Sequence, residues 1–485
     1  MKPFRTLALR YTCPVPHGAL VEIMQKFPFE FCANLGDKRC TYPDISKGNQ
    51  PWFNSSNTRY GLYKDTDPET LLPLDEELVN RMHHCEDVFI NMVQRHEYAR
   101  TVSHEKRKQV YLRHLRFWND FLESNAINLV LASTLPHEIP DHIIYCLCKD
   151  KKIPFIFSHT TPISDTAFLQ DDIEESAVQI KQRLDEIKKE NPKEITLCDQ
   201  LEEYSAMQTK PEGKFTSAYP SKPQNQLQIF ARRILSAPGE LLNWLLKLFS
   251  IRVWMRRFGK LRVAMEQKRL REFYDEHAVE PDLSKQFIYF PLQFQPECST
   301  CPMAGAFVDQ QLTTQMLSQA APRDVLIYVK EHPRQRKQGI MCRDIDFYKK
   351  LVAMPNVRLM KHESSTFKLR ENCKAVATGT GTAGLEALFR QKPVLLFGHV
   401  FYQYADGVFP IRAKEDLTKA MKAIFENNEK PSQASTRQFM KAVEDTRMYA
   451  TITYRYQAMR KTELSDDHSK KVFTDALTKK LQTLK

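Results

Sequence analysis

The sequence predicts an α/β fold with two domains built on open parallel sheets. Three observations lead there. Short apolar runs alternate with amphipathic ones over 286–398, a second strand–helix–strand unit stands at 127–158, and 485 residues exceed one ordinary core. Strands alternating with helical runs are the signature of βαβ units.

Residues 1–70 yield no assignment, because Pro, Asn, Gly and Tyr punctuate runs as short as FPFEFC at 27–32. Residues 75–124 predict helices. Leu78, Met82, Cys85, Phe89 and Met92 form one apolar series; Tyr111, Leu115, Trp118 and Leu122 form another, each at the three-to-four spacing of a buried helix face. His83 and His84 beside Cys85 lack a partner at ligand spacing and read as surface histidines next to a core cysteine. INLVLA at 127–132 predicts a strand, 141–149 a helix and IPFIFS at 153–158 the next strand. The turn between them carries Pro136, His137 and Glu138 at a strand's carboxyl end, where a solvated pair is the competing interpretation.

A charged helical run at 171–189 leads into a Pro-, Ser-, Lys- and Gln-rich stretch at 209–226, the composition of a linker. Residues 227–273 follow, broadly apolar around Trp244 and Trp254 yet carrying eleven Lys or Arg against three Glu, so 11 − 3 gives +8 of the chain's net +12. Such a segment either lies in an anionic membrane interface or packs between domains. No recognised nucleic-acid module surrounds it, and nucleic acid is not an expected partner.

From 286 on, strands are predicted at 287–291, 325–330, 357–360, 375–378 and 394–397, with helices at 308–320, 347–354 and 367–372. Helices at 414–427 and 434–484 close the chain. The expected division is 1–169, a linker and basic segment at 170–280, a second α/β domain at 281–430, and carboxyl-terminal helices at 431–485.

Two strand ends carry the chemistry. VLIYVKEHP at 325–333 presents Lys330, Glu331 and His332, the last pinned by Pro333. AVATGTGTAGLEALFRQKPVLLFG at 375–398 reads strand, turn, helix, strand. Ligands of open parallel sheets bind outside strand carboxyl ends, and backbone N–H groups at a helix start favour phosphate. Thr378, Gly379, Thr380, Gly381 and Thr382 are therefore expected to hold a phosphate, with Glu386 one turn further accepting from a ribose. The competing interpretation is a tight turn whose glycines serve packing. Gly379, Gly381 and Gly384 also match GxGxxG, but the next strand ends in Gly398 and His399 without the acid a dinucleotide ribose needs.

Net charge +12 favours an anionic partner. Eleven cysteines without small-scaffold spacing read as reduced thiols, and Cys298–Cys301 is a lone CxxC. The amino terminus has no signal-peptide pattern and no run reaches eighteen apolar residues, so a cytoplasmic protein is expected, with 227–273 a candidate for peripheral contact with the membrane's inner face.

YFPLQFQPECSTCPMAGAFVDQ at 289–310, VKEHP at 329–333, and TGTGTAGLEALFRQKPVLLFG followed by Phe401 and Tyr402 together resemble the bacterial capsule polysaccharide biosynthesis family. The likeness is specific over about 287–402 and looser over 75–160. It implies a GT-B-like fold, two Rossmann-type domains facing across a cleft, and transfer of a sugar such as Kdo or another acidic sugar. The donor would be a nucleotide sugar, CMP-linked by preference or UDP-linked, and the acceptor a glycan or glycolipid.

By the same resemblance, His332 and Pro333 match the family's His-Pro motif, so His332 and Lys330 fall at the donor phosphate. The 378–382 turn falls at the nucleotide, with Glu386 the acid of the following helix, and Gln293, Gln295, Glu297 and Asp309 lie near the cleft. Candidate bases for the acceptor hydroxyl are Glu297, Glu138 and His137. No Asp-x-Asp stands at a strand end, so metal-independent transfer is expected, with no cofactor. The alternatives are a sugar-nucleotide epimerase or hydrolase on the same fold, and a non-catalytic assembly protein at the membrane surface.

Overall fold

The structure is a computed structural model describing all residues except 1, 44, 65, 98–101, 191, 193, 211–250, 296, 338–342, 454–462 and 485; side chains at 95–97, 251–260 and 337 are also outside the description. Among the described residues thirteen strands form two sheets. The first contains β1 (Phe4–Leu9), β2 (Phe29–Gly36), β3 (Trp52–Asn54), β4 (Leu129–Ala132), β5 (Phe155–Thr160), β6 (Thr166–Gln170) and β13 (Met448–Tyr449). The second contains β7 (Phe287–Pro291), β8 (Leu326–Lys330), β9 (Val357–Leu359), β10 (Ala375–Thr378), β11 (Val394–Leu396) and β12 (Val408–Pro410).

The first sheet runs β13-β6-β5-β4-β1-β2-β3 and the second β12-β11-β10-β7-β8-β9. The second is parallel throughout; the first is parallel from β3 to β5 and takes β6 and β13 antiparallel at its edge. In each, the first strand in the chain lies centrally, two strands extend to one side, and the chain then crosses to the other. That is the doubly wound order of a Rossmann sheet, and its crevice opens where the order reverses, at β1/β4 and at β7/β10. The architecture is GT-B-like, two Rossmann-type sheets joined through packed helices.

Both faces of each sheet are covered, which explains the nearly continuous apolar strands. Successive residues point to opposite faces: Phe287 and Tyr289 enter a core shared by the two sheets, whereas Ile288 and Phe290 enter one confined to the second. The shared core takes both apolar series of 75–124, and all nine of those side chains are buried. A third core lies between β1–β2 and the helices Pro14–Lys26 and Asp466–Gln482.

Residues 1–70, unassigned from sequence, supply the central strand and one wing of the first sheet. Pro14 and Pro16 opened no loop; they start the helix Pro14–Lys26, where a missing N–H costs nothing. The expected helix over 434–484 divides into Gln433–Thr446 and Asp466–Gln482, with β13 between them. No helix among the described residues is long and apolar enough to cross a membrane. Most of 227–273 lies outside the description; its end belongs to the helix Ile251–His277, where Leu261 and Met265 are 57% and 53% exposed.

Candidate active site

At the β7/β10 crevice three adjacent strand ends meet. β7 runs into Gln293, β8 into Lys330–His332 and β10 into the Gly-Thr turn. Gln293 ties them together. Its Oε1 accepts from the Thr380 N–H (3.1 Å), its Nε2 reaches the Thr380 hydroxyl (3.3 Å), and its own N–H donates to Gln310 Oε1 (2.6 Å). Its carbonyl accepts from Arg343 (2.6 Å) and Gln310 Nε2 (3.1 Å).

The turn is largely satisfied from within. Thr378, fully buried, accepts from the Gly381 N–H (3.0 Å); Thr380 donates to the Ser299 carbonyl (2.6 Å); and the Tyr402 hydroxyl donates to the Gly381 carbonyl (2.6 Å). A Cβ at Gly379 would collide with Gln293 Oε1, and one at Gly384 would stand 2.6 Å from the Tyr402 hydroxyl. The close approach that the glycines permit is thus to the protein's own side chains. The part of the turn turned to solvent is Thr382, exposed at the first position of the helix Thr382–Leu388, where N–H groups have no intrahelical acceptor.

His332 is partly buried, its ring 5.7 Å from that of Phe294. Its Nδ1 lies 3.1 Å from the Arg334 N–H and accepts from it, which assigns the ring proton to Nε2. Burial, helped by Arg334, Arg343 and His362 against the opposing pull of Glu331, lowers its pKa to about 4. At neutral pH the ring is an uncharged Nε2–H donor. Glu331 anchors the loop: its carboxylate accepts from the His332 N–H (2.6 Å), from buried Arg343 and from the Tyr348 hydroxyl. Glu297 pairs with Arg334 (2.6 Å), whose guanidinium lies over Phe294 at 4.7 Å.

Other predicted residues have structural partners. Lys330 is buried, with Nζ donating to the Ser364 carbonyl (2.6 Å). Glu386 is paired with Arg370, whose side chain is 6% exposed. Asp309 caps the helix Gln310–Ala320, accepting from the Gln311 N–H (3.0 Å), and Gln295 Nε2 donates to the Val308 carbonyl (3.0 Å).

The β1/β4 crevice gathers His137 and Glu138 with residues the sequence did not flag. Arg10 follows β1 with φ 59°, a left-handed backbone that is costly for a side chain with a Cβ. Its guanidinium pairs with Asp141 at 2.5 Å, the carboxylate being 1% exposed, and its carbonyl accepts from Ser133 Oγ (2.6 Å). Glu138 pairs with Arg59 at 3.5 Å. His137 Nδ1 lies 2.7 Å from the Leu135 carbonyl and donates to it, which leaves the lone pair on Nε2, 3.9 Å from Glu138. The signal for Arg10 was an apolar run, TLAL at 6–9, ended by an arginine.

The units touch beside the Gly-Thr turn. Cys301 Sγ donates to the Val88 carbonyl (3.6 Å), and His399 and Gln403 both reach the Glu174 carbonyl at 3.0 Å. A cavity of about 290 Å³ lined by Lys149, Phe155, Asp171 and Lys480 opens at the amino end of β5, the opposite end of that sheet from His137.

Residues 252–451 match the family model described as capsule polysaccharide biosynthesis protein, which contains every motif of the second unit quoted above. Among solved structures, the chain is similar to the β-Kdo 2,7 transferase KpsC of Thermosulfurimonas dismutans: 12% identity, 84% of this chain and 97% of that one, TM-score 0.30. It is similar also to the UDP-GlcNAc 2-epimerase of Methanocaldococcus jannaschii, at 10% identity over 90% of this chain and 98% of that one, TM-score 0.24. Scores this low leave the fold to be read from the strand order itself. No curated protein matches the chain.

Proposed function

With residues 252–451 belonging to the capsule polysaccharide biosynthesis family, we propose that the protein is a glycosyltransferase that takes its donor, a nucleotide sugar, at the β7/β10 crevice. The observation that carries this reading is His332: a neutral imidazole at a strand end, fixed through Nδ1 so that Nε2–H is the ring's donor. Donors held in place before the reaction and aimed at developing charge are the main source of stabilisation for a leaving phosphate. Thr382 and the N–H groups at the start of its helix supply further donors, while Gln293 and Tyr402 hold the turn.

The acceptor sugar binds at the β1/β4 crevice. Its hydroxyl needs a base, and His137 suits that task by tautomer, with Nε2 as acceptor and Glu138 beside it to stabilise the imidazolium that forms. Glu297, paired with Arg334, shapes the donor side. The donor is CMP-linked by preference, with an acidic sugar such as Kdo, and the acceptor a glycan or glycolipid. The enzyme works in the cytoplasm at the membrane's inner face, where Leu261 and Met265, exposed among Arg262, Lys268 and Arg269, continue the basic segment. Deleting 240–258 should then reduce partition onto anionic vesicles.

The test of activity is incubation with a panel of CMP- and UDP-sugars, with and without glycan acceptors. Transfer requires donor consumption that depends on acceptor. Consumption of donor alone would indicate an epimerase or hydrolase, and no nucleotide binding would indicate an assembly protein.

A further inference from the structure

The helices His83–Glu97 and Ile139–Lys151 pack against each other in the first unit and bring together Cys85, His142 and Cys146. One ligand-type atom from each lies within 4.8 Å of the others. His142 and Cys146 are four residues apart, so they share a helix face, and Cys85 meets them from the opposite helix. We propose that these three residues form a structural zinc site that clips the two helices together.

The geometry fits the ion. Zinc bonds of about 2.3 Å to sulfur and about 2.05 Å to nitrogen, set at the tetrahedral angle, place the two ligand atoms about 3.6 Å apart. Cys146 Sγ and His142 Nε2 are 3.5 Å apart. Cys85 Sγ lies within 4.8 Å of both of those atoms. Charge fits as well. Two thiolates and a neutral imidazole around a divalent ion sum to zero, and Cys85 and His142 are 1% and 4% exposed. On binding, both thiols lose their protons to solvent, and the ion takes the two sulfur lone pairs with no change of oxidation state.

Soft sulfur with imidazole selects zinc over magnesium or calcium. The buried Nδ1 of His142 has no partner, so the ring's one hydrogen-bond contact is Nε2 to Cys146 Sγ. Glu86, the next residue after Cys85, is occupied by Lys108 at 3.2 Å and does not join the set. A water completes the fourth position. Cys146 is only partly buried, which gives the ion a way in.

The clip has a structural consequence. One turn beyond Cys85, the Val88 carbonyl accepts from Cys301 Sγ of the second unit. The helix held by zinc is therefore also a surface on which Cys301, in the 289–310 stretch of the second unit, rests.

The full chain, purified reduced and without chelator, should contain about one zinc per molecule by mass spectrometry of metals. Replacing zinc by cobalt(II) should give thiolate-to-cobalt charge-transfer absorption. Cys146→Ser and His142→Asn should weaken zinc affinity at least about tenfold, while Cys148→Ser, a buried cysteine outside the cluster, should retain it. A chelator should lower the unfolding temperature of the wild type but not of Cys146→Ser. Less than about one-tenth equivalent of zinc together with no cobalt band would overturn the proposal. So would a Cys85–Cys146 disulfide in the freshly purified protein, or equal loss of metal in Cys148→Ser.

Discussion

The two crevices sit at equivalent positions in sheets of the same strand order, yet the groups that hold their strand ends differ. At β7/β10 neutral groups hold the Gly-Thr turn, Gln293 contacting both Thr380 and Gln310 with a neutral His332 at the rim, while the charged pair Glu331–Arg343 is buried beneath the loop. At β1/β4 the ties are charged, Arg10 to Asp141 and Arg59 to Glu138. A site for a leaving phosphate gains most from fixed donors that bring no competing anion. A site that must remove a proton gains from a base with a carboxylate at hand. The proposed function places the donor at the first crevice and the acceptor at the second.

A large stability effect is expected at the β1/β4 crevice. Asp141→Ala leaves the Arg10 guanidinium, 20% exposed, without its partner. A loss of about 3–5 kcal/mol is expected on breaking a buried pair this way, read by urea unfolding. A loss below about 1 kcal/mol would mean that water reaches Arg10, and the charged crevice would be open rather than braced. On the neutral side His332→Ala should lower the transfer rate by about 100-fold or more with little change in unfolding temperature. Full activity would remove His332 from the donor site.

Gln293→Ala orphans the Thr380 N–H, worth about 1–3 kcal/mol. It should also weaken nucleotide binding if the turn must be held rigid, and unchanged binding would separate the turn's packing from its function. A further effect is one of pH. Burial lowers the pKa of His114 to about 3 and of His159 to about 4. Between pH 6.5 and those values the unfolded chain holds protons that the folded chain does not. Stability should therefore be constant above pH 7 and fall as pH drops below 6.5, by about 1.4 kcal/mol per unit for His114 alone. His114→Gln should flatten that slope, and an unchanged slope would show that other groups cause it.

The second unit was legible because its signals are local. β7 and β10 fall at the residues the apolar runs indicate, and the helix faces of 75–124 follow from spacing alone. The first seventy residues were illegible because short strands bounded by Pro and Asn acquire their meaning only by pairing. β1 lies between β2 and β4, and β4 is more than a hundred residues away in the chain. The strand-end residues His332, His137 and Glu138 could be named, but their partners could not. Arg343 reaches Glu331 and Gln293, and Asp141 reaches Arg10, across distances in sequence that no periodicity encodes. The glycines of the 378–384 turn looked like room for a ligand; Gln293 and Tyr402 fill much of that room themselves.

The most direct measurement is calorimetric titration of CMP, UDP and their sugar conjugates into the wild type, His332→Ala and Glu138→Gln. The assignment of the donor to the β7/β10 crevice predicts nucleotide binding that is weakened at least about tenfold by His332→Ala, the loss of one charge-assisted hydrogen bond, and left unchanged by Glu138→Gln. Binding lost with Glu138→Gln and kept with His332→Ala would exchange the two halves, and no binding of any nucleotide would contradict the account altogether.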